Sequence, residues 1–174
     1  MLRAATRGAH DRVDALFSDY DLSEPGDYGL FLTAQAAAFL PVERALDAAG
    51  ASHLFPDWAD RRRAALLGAD LEELGIPLPA LHAAPPFTTA GAIGGAAYVL
   101  EGSRLGGAML ARSVGPHLPR RFLSSPTPPG HWRQFLERLE QVLETHVDRE
   151  HALISAGQVF DLFASAASVP VKVR

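Results

Sequence analysis

YVLEGSRLGG, residues 98–107, has the flanks of a helix and yet carries Gly102, Gly106 and Gly107. Each glycine costs a helix interior about 1 kcal/mol relative to alanine. Extended back to a threonine cap at Thr88 or Thr89 and forward to residue 114, the stretch predicts one helix. On a wheel of about 100° per residue, Gly95, Gly102 and Gly106 fall within about 40° of one another, with Tyr98 and Met109 beside them. One face of this helix is therefore nearly flat. It suits a second helix packed at short distance, a kink, or a flat ligand laid against the backbone.

The same 3.6-residue period runs through most of the chain, which predicts an all-α fold. Leu2, Ala5, Ala9, Val13 and Leu16 form the stripe of a first amphipathic helix, ended by the turn residues SDYDLSEPGD. A second helix is expected from an Asp27 cap to Gly50, kinked or divided at Pro41. A third is expected from about Asp57 to Leu74, stopped by Gly75. A proline-rich connection, SVGPHLPRRFLSSPTPPG, leads to a long helix HWRQFLERLEQVLETHVDREHALI after Gly130, and SAGQVFDLFASAAS forms the last. Only the tail VPVKVR reads as strand.

At 174 residues, 48% of them hydrophobic, the chain has the material for one domain with a sizeable core, taken as residues 1–174. A net charge of -4 gives no general attraction to nucleic acid or to anionic membrane. With no cysteine, disulfides, thiolate metal sites and cysteine nucleophiles are excluded. The N-terminus MLRAATRGAHDRVD lacks the apolar core of a signal peptide, and no run is long and apolar enough to span a bilayer. The expectation is a cytoplasmic protein with neither membrane nor nucleic acid as partner.

His10 bears on the flat face. Thr6, His10, Val13 and Phe17 form the shoulder of the first helix's stripe, which puts the imidazole at the edge of the core. It is either a satisfied core histidine or a ligand. With the glycine face as opposite wall, the second case describes a slot for a planar metal cofactor.

LRAATRGAH at the N-terminus, the YVLEGSRLGG helix, and the C-terminal segments HWRQFL and VFDLF occur together in an order that resembles the bacterial heme oxygenases. The branch associated with bacterial phytochromes is the most similar. The resemblance implies a helical bundle with heme held between the first helix and a kinked, glycine-rich distal helix. His10 would be the axial ligand to iron, and Gly102, Gly106 and Gly107 would bring the distal backbone close above heme. Heme b would be both cofactor and substrate. O2, activated as a hydroperoxide, would attack the porphyrin and yield biliverdin, carbon monoxide and iron. The electrons would come from an external reductase or ferredoxin-type donor, and a bacteriophytochrome would receive the product. A neutral histidine suits this chemistry, because it does not strongly promote O–O cleavage as a thiolate does.

Ser103 stands where many members carry an aspartate. A hydroxyl organises water but holds no charge, which motivates a second reading: a heme-binding or carrier protein on the same fold that leaves the ring intact. Heme propionates require cations at the mouth of the slot. Arg3, two turns before His10, matches a basic position of the family, and Arg133 beside Trp132 is a further candidate. Thr6 and Tyr98 are expected near the ligand, and Phe160 and Phe163 as core or pocket lining.

Other clusters read as surface. His146, Glu150 and His151 lack the further carboxylates of a di-iron site. Arg61, Arg62 and Arg63, and Arg120 with Arg121, are expected to be solvated or to dock an acidic electron donor. His53, His82, His117 and His131 fall in or beside loops without ligand spacing.

Overall fold

The computed structural model describes residues 1–168, and the strand-like tail VPVKVR lies outside them. Among the described residues there is no strand. The helices are α1 (Leu2–Ala5), α2 (Arg7–Phe17), α3 (Pro25–Ala48), α4 (Ala51–Leu54), α5 (Trp58–Arg61), α6 (Ala64–Glu73), α7 (Ala90–Leu110), α8 (His131–Val142) and α9 (His146–Ser168). α9 runs against α7, α3 and α2, while α3 also packs on α6 and α7. The core is contiguous and alternates bulk with small residues: Phe31, Leu32, Phe39 and Leu46 of α3 meet a chain of alanines on α3, α7 and α9.

Several boundaries differ from the sequence expectation, each for a local reason. α3 starts at Pro25, whose fixed φ and missing N–H suit a first helical position. Asp27 instead accepts a hydrogen bond from the Asp21 amide at 3.2 Å. Pro41 neither divides nor ends α3. The third expected helix is split in two, because the Glu43 carboxylate reaches across from α3 and accepts from the amides of Arg63 (2.7 Å) and Ala64 (3.0 Å). That carboxylate caps α6 from twenty residues away, and Arg62 is extended. Burial raises the Glu43 carboxyl pKa, an effect the two amides oppose. Asp70, in the last turns of α6, ties down the segment after α7 by accepting from the amides of Arg121 and Phe122 at 3.1 and 2.9 Å.

The long C-terminal helix is also divided, at residues 143–145. The Thr145 hydroxyl accepts from the Asp148 amide at 3.1 Å and donates to its carboxylate at 2.6 Å, a reciprocal cap that starts α9. From there α9 continues unbroken through SAGQVFDLFASAAS. α7 begins where expected, with the Thr89 hydroxyl accepting from Ala92 N, and ends at Leu110 rather than residue 114.

Candidate functional site

The glycines of α7 do two different things. A Cβ on Gly91 or Gly95 would fall inside contact with the backbone of Asp148 or Ala152, so the first half of α7 lies directly on α9. Among the described residues, a Cβ on Gly102 would meet only the Trp132 ring, at 3.9 Å, and one on Gly106 would meet nothing within 4 Å. Beyond Tyr98 the same helix face has therefore lost its helical neighbour. Leu105 and Met109, on this face by helical spacing, are 44% and 70% exposed. Gly107, which the wheel turns aside from Gly102 and Gly106, faces Leu123, whose side chain and carbonyl a Cβ would meet at 3.4 Å.

The first helix borders the same region. Burial raises the pKa of the Tyr98 phenol, an effect that the charge of Arg3 and the Thr6 hydroxyl oppose. Thr6 marks the break between α1 and α2, with φ -95° and ψ 0°, and its hydroxyl donates to the Leu2 carbonyl at 2.9 Å. One turn on from Thr6 along α2 is His10, and one turn on from Tyr98 along α7 is Gly102.

The His10 ring meets Phe160 of α9 edge-on, with centroids 6.1 Å apart, and its side chain is 58% exposed. Nδ1 stands 3.2 Å from the Asp14 carboxylate, one turn further on. A bond from Nδ1–H to that carboxylate selects the tautomer whose Nε2 lone pair is available to a metal. The spacing of four between His10 and Asp14 is the sequence signal for this pair. Arg133 extends into solvent with Glu137 as its neighbour at 3.6 Å, while the adjacent Trp132 is partly buried between Tyr98 and Phe135.

The reading of Arg61–Arg63 as a solvated run fails for two of the three. Arg61 is buried and forks onto Asp57 (2.8 and 2.6 Å). It also donates to Glu101 at 2.6 Å and lies 3.0 Å from His131 Nε2. Arg104, also buried, bonds Glu101, Ser125 and the carbonyls of Arg61 and Pro126. Glu101 and His131 are thus members of a buried charge cluster joining α5, α7 and α8.

Arg63 is buried apart from that cluster, with its guanidinium between the rings of Phe39 and Phe122 at 4.9 and 5.0 Å. It donates to the Leu100 carbonyl (2.5 Å) and to the Ser103 hydroxyl (2.7 Å), and its Nε has no partner among the described residues. Arg62 alone is exposed, 3.5 Å from Asp47. Arg120 and Arg121 are engaged too, the first with the Ala111 carbonyl and the second with Asp70 and Glu73. Arg61 and Arg63 are therefore withdrawn from the surface, whereas Arg62 and Arg121 remain about half exposed beside their carboxylate partners.

No family model matches the chain. A protein called heme oxygenase from Xanthomonas campestris pv. campestris (strain 8004) is 36% identical over 112 residues, spanning 61% of this chain and 67% of the relative. Among solved structures, the fold is similar to the NO- and CO-bound heme oxygenase from Neisseria meningitidis. The TM-score is 0.83 at 25% identity, covering 95% of this chain and 87% of that one.

Proposed function

The chain belongs to the heme oxygenase family, and from that premise we propose that it cleaves heme to biliverdin, carbon monoxide and ferrous iron, using O2 and electrons from an external donor protein. Residues 1–174 form one heme oxygenase-like domain in this reading, in keeping with the contiguous core. The carrier alternative is disfavoured, because the relative and the structural neighbour are both named as oxygenases.

The observation that carries the site is the open half of α7. Glycines that accommodate no helix leave room for a flat substrate, and the exposed Leu105 and Met109 supply apolar contact around it. The residues fit heme. His10 would ligate iron through Nε2, with Asp14 holding Nδ1–H and Phe160 supporting the ring edge. Gly102 and Gly106 would lie over the opposite face. Arg3, with Tyr98 and Thr6 beside it, would take a propionate, and Arg133 offers a mobile second cation. Bound there, heme supplies the iron that activates oxygen and the ring that is oxidised. The chain's own part is to keep the distal side free of a competing ligand and to organise protons through Ser103 and water. A bacteriophytochrome as receiver of biliverdin follows from the branch that the sequence resembles.

The test is addition of hemin and then a reductant under air. The Soret band should decay into the spectrum of biliverdin, and His10→Ala should lose the ferric spectrum of the wild type. A Soret band that persists under reductant would instead establish the carrier reading.

A further inference from the structure

Arg63 is an uneconomical residue unless it acts on something. It is 1% exposed, makes no ion pair among the described residues, and leaves Nε without a partner. Burial is the main reason its pKa is pushed down to about 9, with Arg104 adding to the effect. It is still a cation at neutral pH, and what it touches is α7 at the turn where the open face begins.

The geometry around Ser103 explains the contact. On the helix wheel Ser103 lies about 60° round from Gly106 and about 40° from Gly107. It therefore stands on the border between the open face and the packed one, and it is partly exposed. Its hydroxyl donates to the Leu100 carbonyl at 2.7 Å and accepts from Arg63 Nη2 at 2.7 Å. The same Nη2 donates to the Leu100 carbonyl. A guanidinium nitrogen of this kind has two hydrogens, and a hydroxyl has one hydrogen and two lone pairs. When the Ser103 hydroxyl swings away, the Leu100 carbonyl keeps its helix bond within α7 and the bond from Arg63, so the swing strands no acceptor. The oxygen of Ser103 keeps its Arg63 bond in either orientation.

We propose that Arg63 is a positioning residue that makes the Ser103 hydroxyl a free rotor, able to turn its proton from the Leu100 carbonyl to the open face above the substrate. This inference rests on the heme reading of that face. It answers how a serine serves where an acid is commonly found: Arg63 supplies both the fixed oxygen position and the positive field that make the hydroxyl a better donor. Without Arg63, the Leu100 carbonyl would hold the hydroxyl proton, and Ser103 would face the substrate as an acceptor only.

Carbon monoxide bound to ferrous heme is the probe, because a hydrogen-bond donor beside its oxygen lowers the C–O stretching frequency. The wild type should show a low-frequency band from the donating orientation together with a higher one. Ser103→Ala should lose the low band. Arg63→Met, close in length and without a donor, should lose it too, while Arg63→Lys, which keeps charge and hydrogens, should restore it at least in part. Turnover should fall on the order of 10²-fold in Ser103→Ala and in Arg63→Met, with the double variant no worse than either single one.

Retention of the low band in Arg63→Met, or its persistence in Ser103→Ala, overturns the proposal. Should Arg63→Met lose its cooperative melt, Ser103→Ala and Arg63→Lys decide the matter by the same bands. Absence of any Soret band on hemin addition would remove the heme reading itself, an outcome distinct from bound heme with unmoved bands.

Discussion

At the scale of the residue, Gly106 separates a structural glycine from a functional one. Because a Cβ there meets nothing within 4 Å among the described residues, Gly106→Ala should gain the helix propensity that glycine forfeits, about 0.5–1 kcal/mol. The melting temperature of the protein without heme should then rise by about 1–4 °C. The same methyl would stand between the backbone and a flat substrate, so hemin affinity in a Soret titration should fall. A more stable variant with undiminished hemin affinity would sink the placement of heme on this face. His10 gives the companion case on the other wall. Asp14→Ala frees Nδ1 to exchange tautomers and should weaken hemin binding about tenfold, the lower end for loss of a ligand-orienting partner, since the pair is exposed. An unchanged affinity in the same titration would leave Asp14 as a surface charge.

At the scale of the element, α7 is one helix with two jobs, and the sequence shows the face without showing where the job changes. The wheel correctly groups Gly95 with Gly102 and Gly106, but it contains nothing about where α9 stops being a neighbour. Gly95→Ala should therefore behave in the opposite way to Gly106→Ala. Its Cβ would collide with the Ala152 carbonyl, and backbone gives way far less readily than a side chain, so a loss of about 3 kcal/mol is expected in urea denaturation. A loss within 0.5 kcal/mol of zero, about the scatter of neutral substitutions, would mean that the two helices separate freely there.

Legibility elsewhere follows the same division between local and distant causes. The Thr89 cap and the Gly75 stop are local, and both were readable. The Thr145–Asp148 cap is equally local, but it sits inside a strong amphipathic run that masks it. The break at Arg62 was not readable at all, because its cause is Glu43 on another helix. For the site, family likeness points to His10, Gly102 and Ser103, whereas Arg63, the group that holds Ser103, was hidden in a run of arginines that reads as surface.

Over the whole molecule, charge is buried where the helices α5, α7 and α8 meet, and this gives the fold a pH dependence of definite sign. His131 opens α8 after the left-handed Gly130 and faces Arg61 on α5, Asp57 just before it, and Glu101 and Arg104 on α7. Burial is the main cause that lowers the His131 pKa from 6.5, Arg61 and Arg104 add to it, and Glu101 and Asp57 oppose it. In the unfolded chain the imidazole takes up its proton at the ordinary pKa, so between that value and the lower folded one the unfolded state binds more protons. Stability therefore falls as pH drops from about 6.5 toward the folded pKa of His131. The raised Glu43 carboxyl has the opposite sign, since the stability it contributes is lost as pH rises through its folded value. The difference between wild type and His131→Asn isolates the histidine from that background. Urea midpoints measured from about pH 7.5 to about pH 5.5 should decline more steeply in the wild type. Parallel curves would mean that Glu101 holds the charged imidazole as well as the neutral one. The consequence would reach the site, because Trp132, the next residue of α8, lies within 4 Å of a Cβ placed on Gly102. A fall in hemin affinity over the same acid range in the wild type, reduced in His131→Asn, would tie the charge cluster to the wall of the slot.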